Sequence, residues 1–224
     1  MIGAAERASA LGAYADETAG CVRCALAAGR TQVVFGAGNP DADLMFVGEA
    51  PGFHEDQQGI PFVGQAGKLL DKLLAEIGLQ RSDIYIANVL KCRPPQNRDP
   101  LPEEIAACES HLFRQIELIQ PKLVATLGNF ATKLLSGKQL GITRVHGHEQ
   151  EVMLGPSRVL LYPLYHPAAA LYTPSMLNIL AADFARLPQL LGRSLEQAGP
   201  PEASPEPELK LVAAHAASEQ LGLF

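Results

Sequence analysis

Between residues 43 and 192 the chain alternates short apolar runs with longer stretches of helical spacing, and this alternation limits the fold more than any other feature. Leu44-Met45-Phe46-Val47 is wholly apolar and stops at Gly48, the pattern of a strand covered on both faces. Leu69, Leu70, Leu73, Leu74 and Ile77 then recur at helical spacing, with Gly78 as the stop. Residues 84–89 read as a second strand. Pro102, Glu103 and Glu104 suit a first helical turn, and Ile105, Cys108, Leu112, Ile116 and Ile119 continue one face of that helix. Residues 123–127 form a third strand, followed by a short helix over about 129–135. Residues 144–153 and 158–165 read as strands joined at Gly155-Pro156, and a Leu- and Ala-rich helix covers about 175–191. The pattern predicts an α/β fold: a three-layer α/β/α sandwich around a central, mostly parallel, four-stranded sheet.

This domain is expected over residues 1–195, with an extended N-terminal segment. Residues 196–208 are rich in Pro and Glu and read as a solvated linker, and residues 209–224 turn apolar again as a tail. A composition of 47% hydrophobic and 19% charged residues supports a packed core. Eighteen basic residues against 24 acidic ones leave a charge of −6, so a grip on nucleic acid requires a local basic patch. No run reaches the roughly 18 apolar residues of a membrane span. Glu6 and Arg7 fall where the apolar part of a secretory leader would begin. The expectation is a cytoplasmic monomer without membrane contact, in which cysteines serve as ligands rather than disulfides.

Ligands of parallel sheets bind outside the carboxyl ends of the strands. There the chain places Gly48-Glu49-Ala50-Pro51-Gly52, then Asn88, then Tyr165-His166-Pro167. Each alone reads as a turn or cap residue; together they mark one site. Cys21 and Cys24 form a C-x2-C pair, and Cys92 and Cys108 stand far downstream. Four thiolates suit zinc or an iron–sulfur cluster, and spacing leaves both open. Lys91, Arg93 and Arg98 cluster near Cys92, and with Arg144 they supply the local basic patch for phosphates.

Several separated motifs then agree in register with one family. Gly48-Glu49-Ala50-Pro51-Gly52 with Glu55-Asp56, Pro61-Phe62-Val63-Gly64, Asn88, residues 91–98 (KCRPPQNR) and His166-Pro167 resemble the family 4 uracil-DNA glycosylases over about residues 15–192. The resemblance implies a structural [4Fe–4S] cluster on Cys21, Cys24, Cys92 and Cys108, and excision of uracil from DNA. It implies that Phe62 stacks on the flipped base, Asn88 reads the base edge, His166 lies beside a base carbonyl, and Glu49 and Glu55 are the acidic residues of the first motif. Of the two, Glu55 is expected to orient water and Glu49 to support it, with Asp56 structural. Ala50 replaces the glycine of many members and the catalytic Asp of family 1. Tyr172 stands where an Arg is expected. Two other readings compete: a uracil-DNA binding or cross-linking relative without turnover, and an iron–sulfur electron carrier.

Uracil chemistry agrees with an asparagine reader. A fixed amide accepts from uracil N3–H and donates to O4, whereas cytosine would oppose donor to donor and acceptor to acceptor. In the tail, Gln220, Leu221, Leu223 and Phe224 look like the Q-L-x-L-F peptide that docks bacterial repair proteins on the sliding clamp, so a clamp is an expected partner.

Overall fold

A computed structural model describes residues 3–196 of the 224-residue chain. Nearly all of the expected linker and the whole tail, with Gln220, Leu221, Leu223 and Phe224, lie outside the described residues. In chain order the structure opens with α1 (Ala4–Ala19), β1 (Ala37–Gly38), β2 (Leu44–Gly48), α2 (Phe53–Gln58), α3 (Gln65–Glu76) and β3 (Tyr85–Asn88). It continues with α4 (Pro102–Ile119), β4 (Leu123–Leu127), α5 (Asn129–Ser136), α6 (Ile142–Val145), β5 (Gln150–Leu154) and β6 (Ser157–Leu164). Three helices close it: α7 (Pro167–Ala170), α8 (Pro174–Ala185) and α9 (Leu187–Glu196).

The sheet order is β1-β3-β2-β4-β6-β5. The four inner strands β3, β2, β4 and β6 are mutually parallel, and β1 and β5 add antiparallel edges. The expected four-stranded sheet is therefore six-stranded. The parallel core matches the expected strands, but β1 is only two residues long and carries no periodic signal.

Side-chain alternation along the inner strands divides the interior into two cores. Met45, Val47, Ala87 and Val89 face Leu11 of α1, Leu112 and Ile116 of α4, and Leu135 of α5. Leu44, Phe46, Ile86 and Ala125 face Leu70 and Leu73 of α3, Leu180 and Phe184 of α8, and Leu190 of α9. Strands apolar on both faces thus demand helices on both faces, which gives the expected three layers.

Local corrections concern the short elements. The N-terminal segment is not extended: residues 4–19 form α1, which packs on α4. Residues 142–145 are helical, so Arg144 lies on α6 rather than on a strand, and β5 starts only at Gln150. The predicted last helix is two helices, α8 and α9, meeting at Arg186. No described helix is long and apolar enough to cross a membrane.

Candidate active site and cysteine centre

At the carboxyl edge of the parallel strands a cleft of about 420 Å³ opens, within the roughly 300–1,000 Å³ of small-ligand sites. Glu49 and Ala50 reach it from the end of β2, Asn88 from the end of β3, and His166 from the end of β6; Glu55 and Phe62 come from the segment between β2 and α3. The structure brings these six residues, far apart in sequence, to one cleft. Gly48, expected to bind substrate, does not line the cleft but packs behind its wall: a Cβ there would lie 2.4 Å from Asn88 Oδ1 and 2.7 Å from Phe62 Cζ. Only glycine lets β2 pass so close beneath the amide and the ring.

Asn88 is 1% exposed, and neither its Oδ1 nor its Nδ2 has a hydrogen-bond partner. Leaving such groups unpaired costs about 1–3 kcal/mol each. An arrangement that costly at a cleft wall is one prepared for a ligand.

Phe62 is buried at a left-handed φ of 56°, which a bulky residue adopts only when its surroundings hold it there. Arg81 donates to the carbonyls of both Pro61 and Phe62. Gly67 admits the Phe62 carbonyl so closely that a Cβ would sit 1.7 Å from its oxygen. Glu55 Oε1 accepts from the backbone N–H groups of Val63 and Gly64, each at 2.9 Å. The Phe62 ring lies 5.6 Å from the His166 ring at 26° between planes. Glu55 Oε1 thus holds the loop that carries Phe62, while the residue itself also lines the cleft. Asp56 is structural as expected: it is buried and accepts from Thr31 N through both oxygens.

His166 Nδ1 accepts from Ala168 N at 3.1 Å, which leaves the proton on Nε2. Burial pushes its pKa down to about 4, with the Glu55 carboxylate opposing. At neutral pH it is therefore an uncharged N–H donor. Burial pushes Glu49 up to about 7, with the Asp99 charge adding to the shift.

The basic residues divide. Arg98 lines the cleft and is held by Glu104, donating to both of its oxygens at 2.9 and 2.6 Å. Arg93 donates to Asn97 Oδ1 at 2.7 Å and lays its guanidinium 5.2 Å from the centre of the Phe53 ring. Arg144 is exposed on α6 but does not line the cleft. Lys91 corrects the expectation: it is 1% exposed, with its ammonium bonded to Asn88 O and Gln115 Oε1. It cannot present charge to a phosphate. Burial pushes its pKa down to about 7, with nearby Cys108 opposing. Tyr172, 88% exposed, stands free near the end of the segment that follows His166.

The four cysteines, distant in sequence, line one pocket against α4. Among the described residues no three Cys, His, Asp or Glu side chains close about a point as they do around a bound ion. Their sulfurs nevertheless sit among N–H donors. Arg30 Nη1 lies 3.4 Å from Cys92 Sγ, Lys91 N donates to Cys108 Sγ at 3.3 Å, and His111 Nε2 lies 3.3 Å from Cys21 Sγ. Tyr14 of α1 meets His111 Nδ1 at 2.7 Å and so orients the ring whose other nitrogen faces the sulfur.

Sequence reading missed these supports. His111 follows Cys108 at helical spacing, a signal that was present; Arg30 carried none. It also missed Pro94, Asn97, Ala168 and Ala169 in the cleft wall. His146 bonds Asp183 Oδ2 at 3.0 Å.

Residues 35–187 match the family described as the Uracil DNA glycosylase superfamily. A type-4 uracil-DNA glycosylase of Sulfurisphaera tokodaii is 47% identical over 180 residues, 78% of this chain and 82% of the relative. One of Archaeoglobus fulgidus is 46% identical over 181 residues, 79% of this chain and 91% of the relative. A type-5 uracil-DNA glycosylase of Pyrobaculum aerophilum is 32% identical over 177 residues, covering 72% of this chain and 75% of its own. On these matches the chain belongs to the uracil DNA glycosylase superfamily and, within it, to the type-4 family.

Proposed function

We infer that the protein is a DNA repair enzyme that excises uracil from DNA by hydrolysing the N-glycosidic bond, leaving an abasic site. The observation that carries this reading is the buried, unpartnered amide of Asn88 at the wall of the cleft. Its Oδ1 accepts from uracil N3–H and its Nδ2 donates to O4, the pairing that cytosine inverts. The base reaches this depth only by leaving the helical stack, and stacking on Phe62 offsets part of that cost.

Bond breaking places negative charge on the base and positive charge on the sugar. The Nε2–H of His166 donates to base O2 and stabilises the developing anion. Both carboxylates line the cleft, but Glu55 Oε1 is tied to the amides of Val63 and Gly64, whereas among the described residues no hydrogen bond holds the Glu49 carboxylate. We therefore assign Glu49 to orienting the water and stabilising the sugar cation, with Glu55 holding Phe62 in place. Arg98, fixed by Glu104, and Arg93 meet phosphates beside the cleft.

Cys21, Cys24, Cys92 and Cys108 would hold a [4Fe–4S] cluster. Four thiols around one pocket, with Arg30 and Lys91 aiming N–H groups at the sulfurs and His111 Nε2 beside Cys21, fit such a group. When bound, the cluster supplies a structural clamp that joins the N-terminal segment to β3 and α4.

The test is an end-labelled duplex with one uracil, incubated with the protein and then treated with alkali. A break at the uracil is expected, and an intact strand would overturn the reading. The same proposal makes the protein a cytoplasmic monomer whose residues Gln220 to Phe224 dock on a sliding clamp. Deleting those five residues is expected to leave excision unchanged and abolish clamp pull-down.

A further inference from the structure

Strand β1 ends before its register with β3 is exhausted. Ala37 lies opposite Ile86 and Gly38 opposite Tyr85, so the next outward-facing position would set Phe35 against Asn88. The even-numbered carbonyls of β3 face this edge: Ile84 O accepts from Asn39 N, and Ile86 sits opposite Ala37. Asn88 O faces the same way but meets no strand, because β1 has stopped. A buried carbonyl at that position needs a partner.

Two side chains provide it. Lys91 Nζ donates to Asn88 O at 2.9 Å, and Gln115 Nε2 donates to Phe35 O at 2.8 Å. Lys91 Nζ also donates to Gln115 Oε1, closing a chain from Phe35 to Asn88 in place of the missing rung. Lys91 is 1% and Gln115 0% exposed. Among the described residues no carboxylate pairs with the Lys91 side chain, so its burial is costly. Its own main chain is tied at both ends, with N donating to Cys108 Sγ at 3.3 Å and O accepting from Val34 N at 2.8 Å.

We propose that Lys91 is the positioning residue for uracil recognition, setting the aim of Asn88 through its carbonyl and tying that aim to the wall of the cysteine pocket. This rests on Asn88 reading the base edge. The amide has no hydrogen bond of its own within the protein, so its direction follows its main chain. That main chain is gripped by β2 on one side, through Val89 N to Gly48 O, and by Lys91 on the other. Without the ammonium the amide still exists, but its two polar atoms no longer coincide with N3–H and O4.

The experiment is a double-mutant cycle on the full chain, read as single-turnover excision by protein whose iron content and circular dichroism match wild type. Lys91→Met is expected to slow excision about tenfold, the worth of one buried hydrogen bond, and to narrow the preference for uracil over cytosine. Added to Asn88→Ala it is expected to cost nothing further, because the group it positions is gone. Gln115→Met, which removes one acceptor while keeping the lysine, is expected to show the same dependence on Asn88 with a smaller loss, and it serves where Lys91→Met does not fold. A native rate in Lys91→Met, or a loss that adds fully to that of Asn88→Ala, would overturn the proposal while leaving the base-reading assignment intact. A native rate in Asn88→Ala would overturn the base-reading assignment itself and the role of Lys91 with it.

Discussion

In the proposed function His166 and Asn88 serve the same base at different points on the reaction path, with Asn88 pairing to uracil on entry. The Nε2–H of His166 gains strength only as charge develops on the base, so His166→Ala is expected to lower the single-turnover rate by about 10²–10³-fold while uracil-DNA affinity holds. Asn88 pairs with uracil from the moment it enters. Asn88→Ala is therefore expected to lower the rate and also shrink the uracil-to-cytosine ratio by about 10²-fold, measured on matched oligonucleotides. Glu49 gives a pH test. Its pKa is pushed up to about 7, and the carboxylate is the form that orients water. The rate should rise as pH passes through about 7 and level off above it, and Glu49→Gln should flatten the profile. A wild-type profile already flat across that range would move the water to another group. The stability sign is opposite. A raised carboxyl binds its proton more tightly folded than unfolded, so stability is lost as pH rises from about 4.5 through about 7. Glu49→Gln should thus melt above wild type in alkaline buffer and coincide with it in acid.

At the scale of elements, the site depends on how closely strands pass one another. Gly48 was legible in the sequence as the end of a strand, but its task, admitting the Asn88 amide and the Phe62 ring, depends on the pairing of β2 with β3. Gly48→Ala should displace both groups and slow excision by about 10²-fold. A melting temperature near wild type would locate the defect in the cleft rather than in the sheet. The inner strands were readable as apolar runs covered on both faces, and α3 and α4 because each buries a periodic set of apolar side chains. Elements of two to six residues, such as β1, α2 and α6, complete less than two turns or pleats and leave no period to detect. Their structure comes from neighbours already in place.

Across the whole molecule, the cysteine pocket joins pieces that the sheet alone does not hold. Cys21 and Cys24 follow α1, Cys92 follows β3, and Cys108 sits on α4. Anaerobically purified protein is expected to be brown with about four irons per chain, the content of one such cluster. Colourless protein with stoichiometric zinc would replace the cluster by a single-ion site. Cys108→Ser should lower both the melting temperature and the excision rate, because α4 also carries the His111 and Gln115 contacts that reach toward α1 and Asn88.

The sequence by itself determined the layered α/β class, the edge of the sheet where chemistry gathers, the six cleft residues and the four thiols. Those features are written locally, as apolar periods, strand-ending motifs and residue types with definite chemistry. What each polar residue does there was decided only by tertiary structure. Lys91 reads as a basic residue in a basic loop, yet packing against Gln115 takes it out of solvent. Glu55 and Glu49 are equivalent carboxylates in the chain, and only the fold gives one to the Val63 and Gly64 amides and leaves the other desolvated in the cleft. A charge's role depends on its burial and its partners, and both are set by contacts between residues far apart along the chain.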